Sequence, residues 1–367
     1  MPSAQSLRAK RKPTAIDLFS GCGGLTRGLK DAGFRVTAAV EIDQKARETY
    51  ELNHPDVLLY GQDIRKVSPL AMMADSGLKP GDLHLLAGCP PCQGFSRLRT
   101  KNRRTSVRDS RNNLLTEFER FVRAMKPQSV MFENVPSLIR DKRFKRLCNQ
   151  LHGLGYKTIA QVLNAADYSV PQRRKRLIML ASRMHQPKLA APRKSRITVR
   201  QTIGTTRGLS SARDKLHALR ERRSEAVRAL IAMIPKNGGS RASLGAEHTL
   251  SCHKNSDGFH DVYGRMPWDD VSPTITSGCH NPSKGRFLHP SRNRAITLRE
   301  AALLQGFPKS YRFEISHGKE AIALMIGNAL PPPFIAAHAK QLRKGISAAA
   351  QSKARQRRIG ARGCGRR

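Results

Sequence analysis

The chain predicts an α/β protein with a mostly parallel sheet and a second, smaller domain. Three features carry that expectation. Short apolar runs alternate with helical stretches up to about residue 185. A glycine-rich turn joins the first run to the first helix, and an acid closes the second run. From about Gln186 to Pro290 the alternation stops, and glycines, prolines and cations take over.

The elements follow in order. Residues 1–13 hold Arg8, Lys10, Arg11 and Lys12 with no acid and read as a disordered basic arm. Thr14–Phe19 (TAIDLF) reads as a buried strand running into Ser20-Gly21-Cys22-Gly23-Gly24, then a helix ending near Gly33. Val36–Val40 is a second strand with Glu41 at its end. The glycines let backbone approach a ligand, and Glu41 can accept hydrogen bonds from both hydroxyls of a ribose. Leu25 and Thr26 follow the glycines, so the GxGxxG spacing of a dinucleotide site is missing. That favours a mononucleoside over a pyrophosphate and counts against a dehydrogenase. Val57–Tyr60 reads as a third strand before Gly61-Gln62-Asp63-Ile64, where Asp63 either accepts from an exocyclic amine or caps a helix.

Leu83–Ala87 predicts a short strand leading into GCPPCQGFS, Gly88–Ser96. Two prolines and nearby glycines make a rigid, sharply bent loop that can hold the thiol of Cys92 at a fixed point. A held, activated thiol is a nucleophile. Cys89 and Cys92 also form a CxxC, which is read as a redox pair or half a zinc site with comparable weight. Residues 97–111 carry seven basic residues and one acid and suit a loop that meets phosphates. A helix over Leu114–Met125 stops at Lys126-Pro127, and a strand over Ser129–Phe132 ends at Glu133-Asn134-Val135-Pro136. Ligands bind at the carboxyl edge of open parallel sheets, so Cys92 and Glu133 can converge there. Thr158–Leu163 and Arg176–Ala181 complete the pattern, with Gln172-Arg173-Arg174-Lys175-Arg176 between them. Arginines two apart on a strand share a face, and alone they read as a phosphate cluster. Leu298–Gln305 is a helix closed by Gly306, and Ile326–Pro332 opens a last one. Residues 341–367 read as a disordered basic tail.

Net charge is +40, from 67 basic and 27 acidic residues. Removing the four cations of residues 1–12 and the nine of 341–367 still leaves +27, so the expected partner is a polyanion. Seven irregularly spaced cysteines fit reduced thiols in a cytoplasm. Cys252-His253 and Cys279-His280 lack the spacing of zinc ligands, so no metal is expected. There is no membrane span or signal segment in the pattern.

Nine blocks then stand in one order: DLFSGCGG at Asp17, VEID at Val40, GQDI at Gly61, GCPPCQGFS at Gly88, DSRNNLL at Asp109, FENV at Phe132, QRRKR at Gln172, REAALLQGFP at Arg299 and GNALPP at Gly327. In this order the chain resembles the DNA (cytosine-5)-methyltransferases over nearly all its length except the tails. The resemblance implies a Rossmann-like, S-adenosylmethionine-dependent methyltransferase fold. It implies a catalytic domain over 14–185, returning over 291–340, and a target-recognition domain over 186–290. Cys92 would be the nucleophile and Glu133 would bind the N3 and N4 edge of cytosine. Arg174 and Arg176 would hold the flipped base and its phosphates. Phe19, Gly21, Gly23, Glu41, Ile42, Asp63 and Ile64 would line the S-adenosylmethionine pocket, with Pro91, Leu114 and Asn328 closing it. Ile42 stands where many members have a larger aromatic, which loosens the expected adenine stacking. The implied partners are double-stranded DNA and, for a type II enzyme, a cognate restriction endonuclease, with the chain acting as a monomer at the nucleoid. An RNA cytosine-5 methyltransferase and a non-catalytic DNA-binding protein of the same fold are the rival readings.

Overall fold

A computed structural model describes residues 12–91, 114–204, 214–219, 223–245 and 262–363, with backbone alone over 353–355 and 357–363. Its centre is a seven-stranded sheet: β1 (Thr14–Leu18), β2 (Arg35–Val40), β3 (Leu58–Tyr60), β4 (Leu85–Gly88), β5 (Ser129–Asn134), β6 (Lys157–Asn164) and β7 (Lys175–Ser182). The spatial order is β3-β2-β1-β4-β5-β7-β6. β3, β2, β1, β4 and β5 run parallel, while β7 inserts antiparallel to both β5 and β6. The chain order reverses at β1 and β4, so a crevice opens at their carboxyl ends. β1, β4 and β5 are buried along their whole length, which explains their continuous apolar runs.

Helices cover both faces: α1 (Gly24–Asp31), α2 (Gln44–Glu51), α3 (Pro69–Asp75), α4 (Leu114–Met125) and α5 (Lys142–Gly153). Their starts follow ordinary capping chemistry. Asp43 accepts from Ala46 N–H, Ser68 from Ala71 N–H, and Asp141 from Arg143 N–H. One apolar layer packs Phe118, Phe121, Phe132, Phe144 and Met179 on one face of the sheet. The other packs Leu29, Phe34, Met131, Leu180, Phe334 and Ile335.

Two boundaries differ from the sequence expectation. The first is at the end of the second region. Short helices α6 (Lys215–Ala218) and α7 (Glu225–Met233) precede α8 (Leu298–Leu304), α9 (Gly318–Asn328) and α10 (Pro332–Gly363). Leu230, Ile231, Ile234, Val262, Tyr263 and Leu288 form a small core of their own. Ile203, Leu216, Met266 and Phe287, however, share one core with Leu298, Leu304, Ile322 and Ile326. A cut at 290 therefore runs through common packing. The fully buried Arg265 organises this lobe, donating to the carbonyls of Ile231, Ile234, His289 and Arg292 and to Asn293 Oδ1.

The second difference is the basic tail, which is helical to Gly363 rather than disordered. Phe334, Ile335, His338, Ala339, Leu342 and Ile346 recur at helical spacing on one face and are buried. That face packs along α1: a Cβ on Gly24 would meet Leu330 O at 2.5 Å, and one on Gly28 would meet Ile335 Cβ at 2.6 Å. The stretch Ile315–Ser352 is long and apolar enough to cross a bilayer, but its most apolar window is 72% buried in the protein. It is a core element here.

Candidate active site

The carboxyl edge of the sheet opens into a cavity of about 1020 Å³. Its walls come from the turn after β1, the ends of β2, β4 and β5, the Gln62–Arg65 segment, Arg174 and Arg176, and the end of α9.

On one side lies the glycine turn. Leu18 ends β1, and Phe19 adopts φ +64°, a left-handed conformation that is costly for an aromatic residue. Gly21 (φ +54°) and Gly23 (φ +94°) continue the turn into α1. A Cβ on Gly21 would meet nothing within 4 Å, so backbone faces open space there. Glu41 closes the turn. Its Oε2 accepts Gly21 N–H at 2.7 Å and its Oε1 accepts Asp43 N–H at 2.9 Å. Burial pushes its pKa up, and the two amides oppose that rise. Ile42 stands 62% exposed beside it, and Ile64 and Leu114 add apolar wall. Asp63 takes the capping role. It caps a short 3₁₀ turn at Arg65 N–H (3.0 Å) and lines the cavity. Hydrogen bonds from Arg65 hold its carboxylate down to about 2. Apolar walls flanked by two carboxylates fit a nucleoside: the apolar faces suit a base, and the carboxylates suit hydroxyls and an amine. Pro91 and Asn328 also line the cavity. Gly23 does not. A Cβ there would run into Tyr311 Oη at 2.5 Å and His54 Nε2 at 2.7 Å, so its role is close packing beneath the turn.

On the other side lies Glu133, in the last turn of pleat of β5 and 2% exposed. Its Oε2 accepts from Cys89 Sγ at 2.8 Å, and its Oε1 lies 3.2 Å from Arg176 Nε. Burial pushes the Glu133 pKa up; Arg176, the Cys89 thiol and Arg174 pull it back. The net direction is upward, so this carboxyl takes up a proton more readily than a free glutamate, and its protonated form can donate a hydrogen bond. Arg174 is 3% exposed. Its Nη1 donates to Ile275 O and its Nη2 to Gly327 O, both at 3.1 Å. Burial lowers its pKa to about 9. Its Nε has no hydrogen-bond partner among the described residues. Cys92 and the basic segment 97–111 lie outside the described residues. Pro91, the residue before Cys92, is on the cavity wall.

Three groups absent from the sequence-based roles hold this rim together. Asn134 donates from Nδ2 to Pro90 O at 3.0 Å, tying the end of β5 to the proline loop. Cys89 donates from Sγ to Glu133 Oε2 at 2.8 Å, and its CxxC partner Cys92 lies outside the described residues. Gln172 accepts Ile275 N–H at 2.9 Å and donates to Gln305, whose Nε2 donates to Ala329 O at 2.6 Å. This clasp joins the arginine block, α8 and the end of α9. Buried glutamines beside functional blocks were the available signal. Gly327 completes it, since a Cβ there would sit 2.3 Å from Ser277 N.

Fold and cavity together are those of a doubly wound α/β protein suited to a nucleoside ligand, with a buried acid and two arginines on the cavity wall. The C-5 cytosine-specific DNA methylase model matches residues 14–344. The type II methylase M.HgiDII of Herpetosiphon aurantiacus is 36% identical over 344 residues, 90% of this chain and 94% of that protein. The type II methyltransferase M1.HphI of Haemophilus parahaemolyticus is 33% identical, covering 90% of this chain and 87% of that one. Among solved structures, a DNA modification methyltransferase encoded within an E. coli prophage superposes with TM-score 0.67 at 27% identity, over 92% of this chain and 100% of that chain. The chain belongs to the C-5 cytosine-specific DNA methylase family, an enzyme family that uses S-adenosylmethionine as methyl donor.

Proposed function

We propose that the chain methylates C5 of a cytosine extruded from a specific double-stranded DNA sequence, with Cys92 as nucleophile and Glu133 as the acid at N3. The observation that carries the second role is a 2%-exposed carboxyl, its pKa raised by burial, set between the Cys89 thiol and Arg176 on the wall of the same cavity that Glu41 and Asp63 line.

Cytosine C5 is a weak nucleophile. Addition of the Cys92 thiolate to C6 makes the ring an enamine, so electron density rises at C5. A neutral Glu133 donating to N3 stabilises the charge that addition places there. Arg174 and Arg176 bring positive charge to the cavity wall beside Glu133, and such charge would favour thiolate over thiol at Cys92. Bound S-adenosylmethionine supplies an electrophilic methyl group. Phe19, Glu41, Ile42, Asp63 and Ile64 are the residues that would hold it. Loss of the C5 proton then expels the thiolate and restores aromaticity. Because C6 is buried in a stacked duplex, the base must leave the helix.

The type II names of the relatives support a cognate restriction endonuclease as companion. The chain would act on DNA as a monomer at the cytoplasmic nucleoid. Incubating the protein and its Cys92→Ser variant with duplex DNA and labelled methyl donor tests the reading. Transfer by the parent and none by a folded variant is expected; transfer by the variant overturns the nucleophile role.

A further inference from the structure

The edge of the sheet opposite the cavity carries its own charged face. Ala15, Val36, Leu85 and Ser129 lie in register near the starts of their strands, and Lys157 pairs with Ser182 on the same line. Exposed cations crowd this edge: Lys12, Arg35, Lys126, Lys157, Arg343 and Lys344. None of them makes an ion pair among the described residues. The cations bound by acids lie nearer its corner, as in Arg27 with Asp31 and Lys30 with Asp56.

α10 carries the charge outward. It runs alongside α1 from the cavity end, where Leu330 touches Gly24, to the opposite edge, where Arg343 reaches Gly33. Gly345 then packs beside His185, just past the end of β7. Ile346 is the last buried side chain; among described residues Ser347, Ala348, Ala350, Gln351, Ser352 and Gln356 are exposed. The helix still continues to Gly363. At 1.5 Å per residue, the stretch from 346 carries it on the order of 25 Å past the edge. The sequence places Lys353, Arg355, Arg357, Arg358 and Arg362 on that extension, and no acid follows Glu320.

We infer that this far edge and the extended end of α10 form a second, sequence-independent site for duplex DNA. A chain engaged at its cavity would thereby hold a separate DNA segment on its opposite side. Charge complementarity chooses the occupant: six exposed cations with no ion pair among the described residues, set against the exposed Asp82 just before β4, match a phosphate backbone and not a protein partner. Distance permits both. Strands of this length separate the two edges by roughly 20 Å, and loops add to that. Tethering two segments raises the local concentration of untested sites and favours transfer between strands. The inference goes beyond methyl transfer and does not depend on the roles of Cys92 or Glu133.

The test uses full-length protein with two short duplexes, one bearing a donor and the other an acceptor fluorophore. The parent protein should bring them together and give energy transfer at about 0.1 M salt, fading as salt rises. A variant with Lys126→Gln, Lys157→Gln, Arg343→Gln and Lys344→Gln should lose it at least tenfold, with a salt slope shallower by about 3 to 4 units. A second variant with Lys353→Gln, Arg355→Gln, Arg357→Gln and Arg358→Gln changes positions beyond Ile346, the last buried side chain among the described residues, and guards against misfolding of the first. Both should methylate a single short duplex at the parental rate. No energy transfer by the parent, or parental transfer by both variants, overturns the inference. So does displacement of the second duplex by single-stranded RNA in preference to DNA. Cys92→Ser should still bridge, so failure of the methyl-transfer reading and failure of this one are separable.

Discussion

Replacing Glu133 by Gln removes the ionisable acid and keeps the side-chain shape. The carboxyl is 2% exposed, its Oε2 is 2.8 Å from Cys89 Sγ, and its Oε1 is 3.2 Å from Arg176 Nε. Glutamine retains an acceptor for the thiol, so the rim should stay folded. General acid assistance contributes about 10²–10⁴-fold, and a glutamine amide is a far poorer proton donor, so single-turnover transfer should slow by about that range. The pH dependence adds a sharper signature. Burial raises the Glu133 pKa, so the carboxyl is protonated below the raised value and ionises as pH climbs through it. The acid's advantage is therefore greatest at low pH and shrinks as pH rises. Thiolate formation at Cys92 has the opposite dependence but is common to both proteins. Dividing parent by variant rate at each pH cancels it. The ratio should fall as pH rises. Quench-flow transfer of labelled methyl groups between pH 5.5 and 9 measures it. A ratio near one, or one independent of pH, would refute the assignment of N3 protonation to this carboxyl.

Three further outcomes follow. Glu41→Ala strips two hydrogen bonds from the glycine turn and removes a carboxylate from the cavity, so the KM for methyl donor should rise by about 10–100-fold with kcat less affected, read by initial rates. Gly327→Ala forces a Cβ against Ser277 N and Thr276 O, at the residue whose own carbonyl accepts from Arg174 Nη2, which should cost about 1–3 kcal/mol in urea melts and lower kcat as well. Asp17 is fully buried, with Oδ2 accepting from Thr26 at 2.6 Å and Oδ1 unpartnered, and burial raises its pKa to about 8 from 3.8. The folded state holds that proton where the unfolded chain has lost it. Its contribution is thus complete below about 4 and is lost as pH rises toward 8, at no more than about 1.4 kcal/mol per unit. Asp17→Asn should flatten the stability profile between pH 5 and 8; an unchanged slope in denaturant melts would show that Asp17 does not titrate there.

Strands were legible because fully buried segments are continuous apolar runs, and the helix over Leu114–Met125 was legible to the residue because amphipathic spacing and Lys126-Pro127 mark both ends. Strand direction was not: nothing in KRLIMLAS distinguishes a strand inserted antiparallel from one following the sheet. The tail was misjudged because its charge outweighed a weak apolar stripe ending at Leu342 and Ile346. The second lobe's limit was misplaced because cores form across chain segments, as Met266 with Ile326 does. Glu41, Glu133 and Gly21 line the cavity from positions at or just past strand ends, as the sequence pattern suggested, whereas Gly23 packs beneath the turn. Cys89, Asn134 and the Gln172–Gln305 clasp were not, since their roles arise from contacts between distant blocks.

The covalent step is open to direct observation. Duplex DNA carrying 5-fluorocytosine at the target lacks the C5 proton whose loss frees the enzyme, so incubation with methyl donor should leave a protein–DNA species that survives denaturing electrophoresis. Peptide mass mapping should place the bond on Cys92, and Cys92→Ser should form none. A bond at Cys89, or no denaturation-resistant species from active protein, would contradict the account.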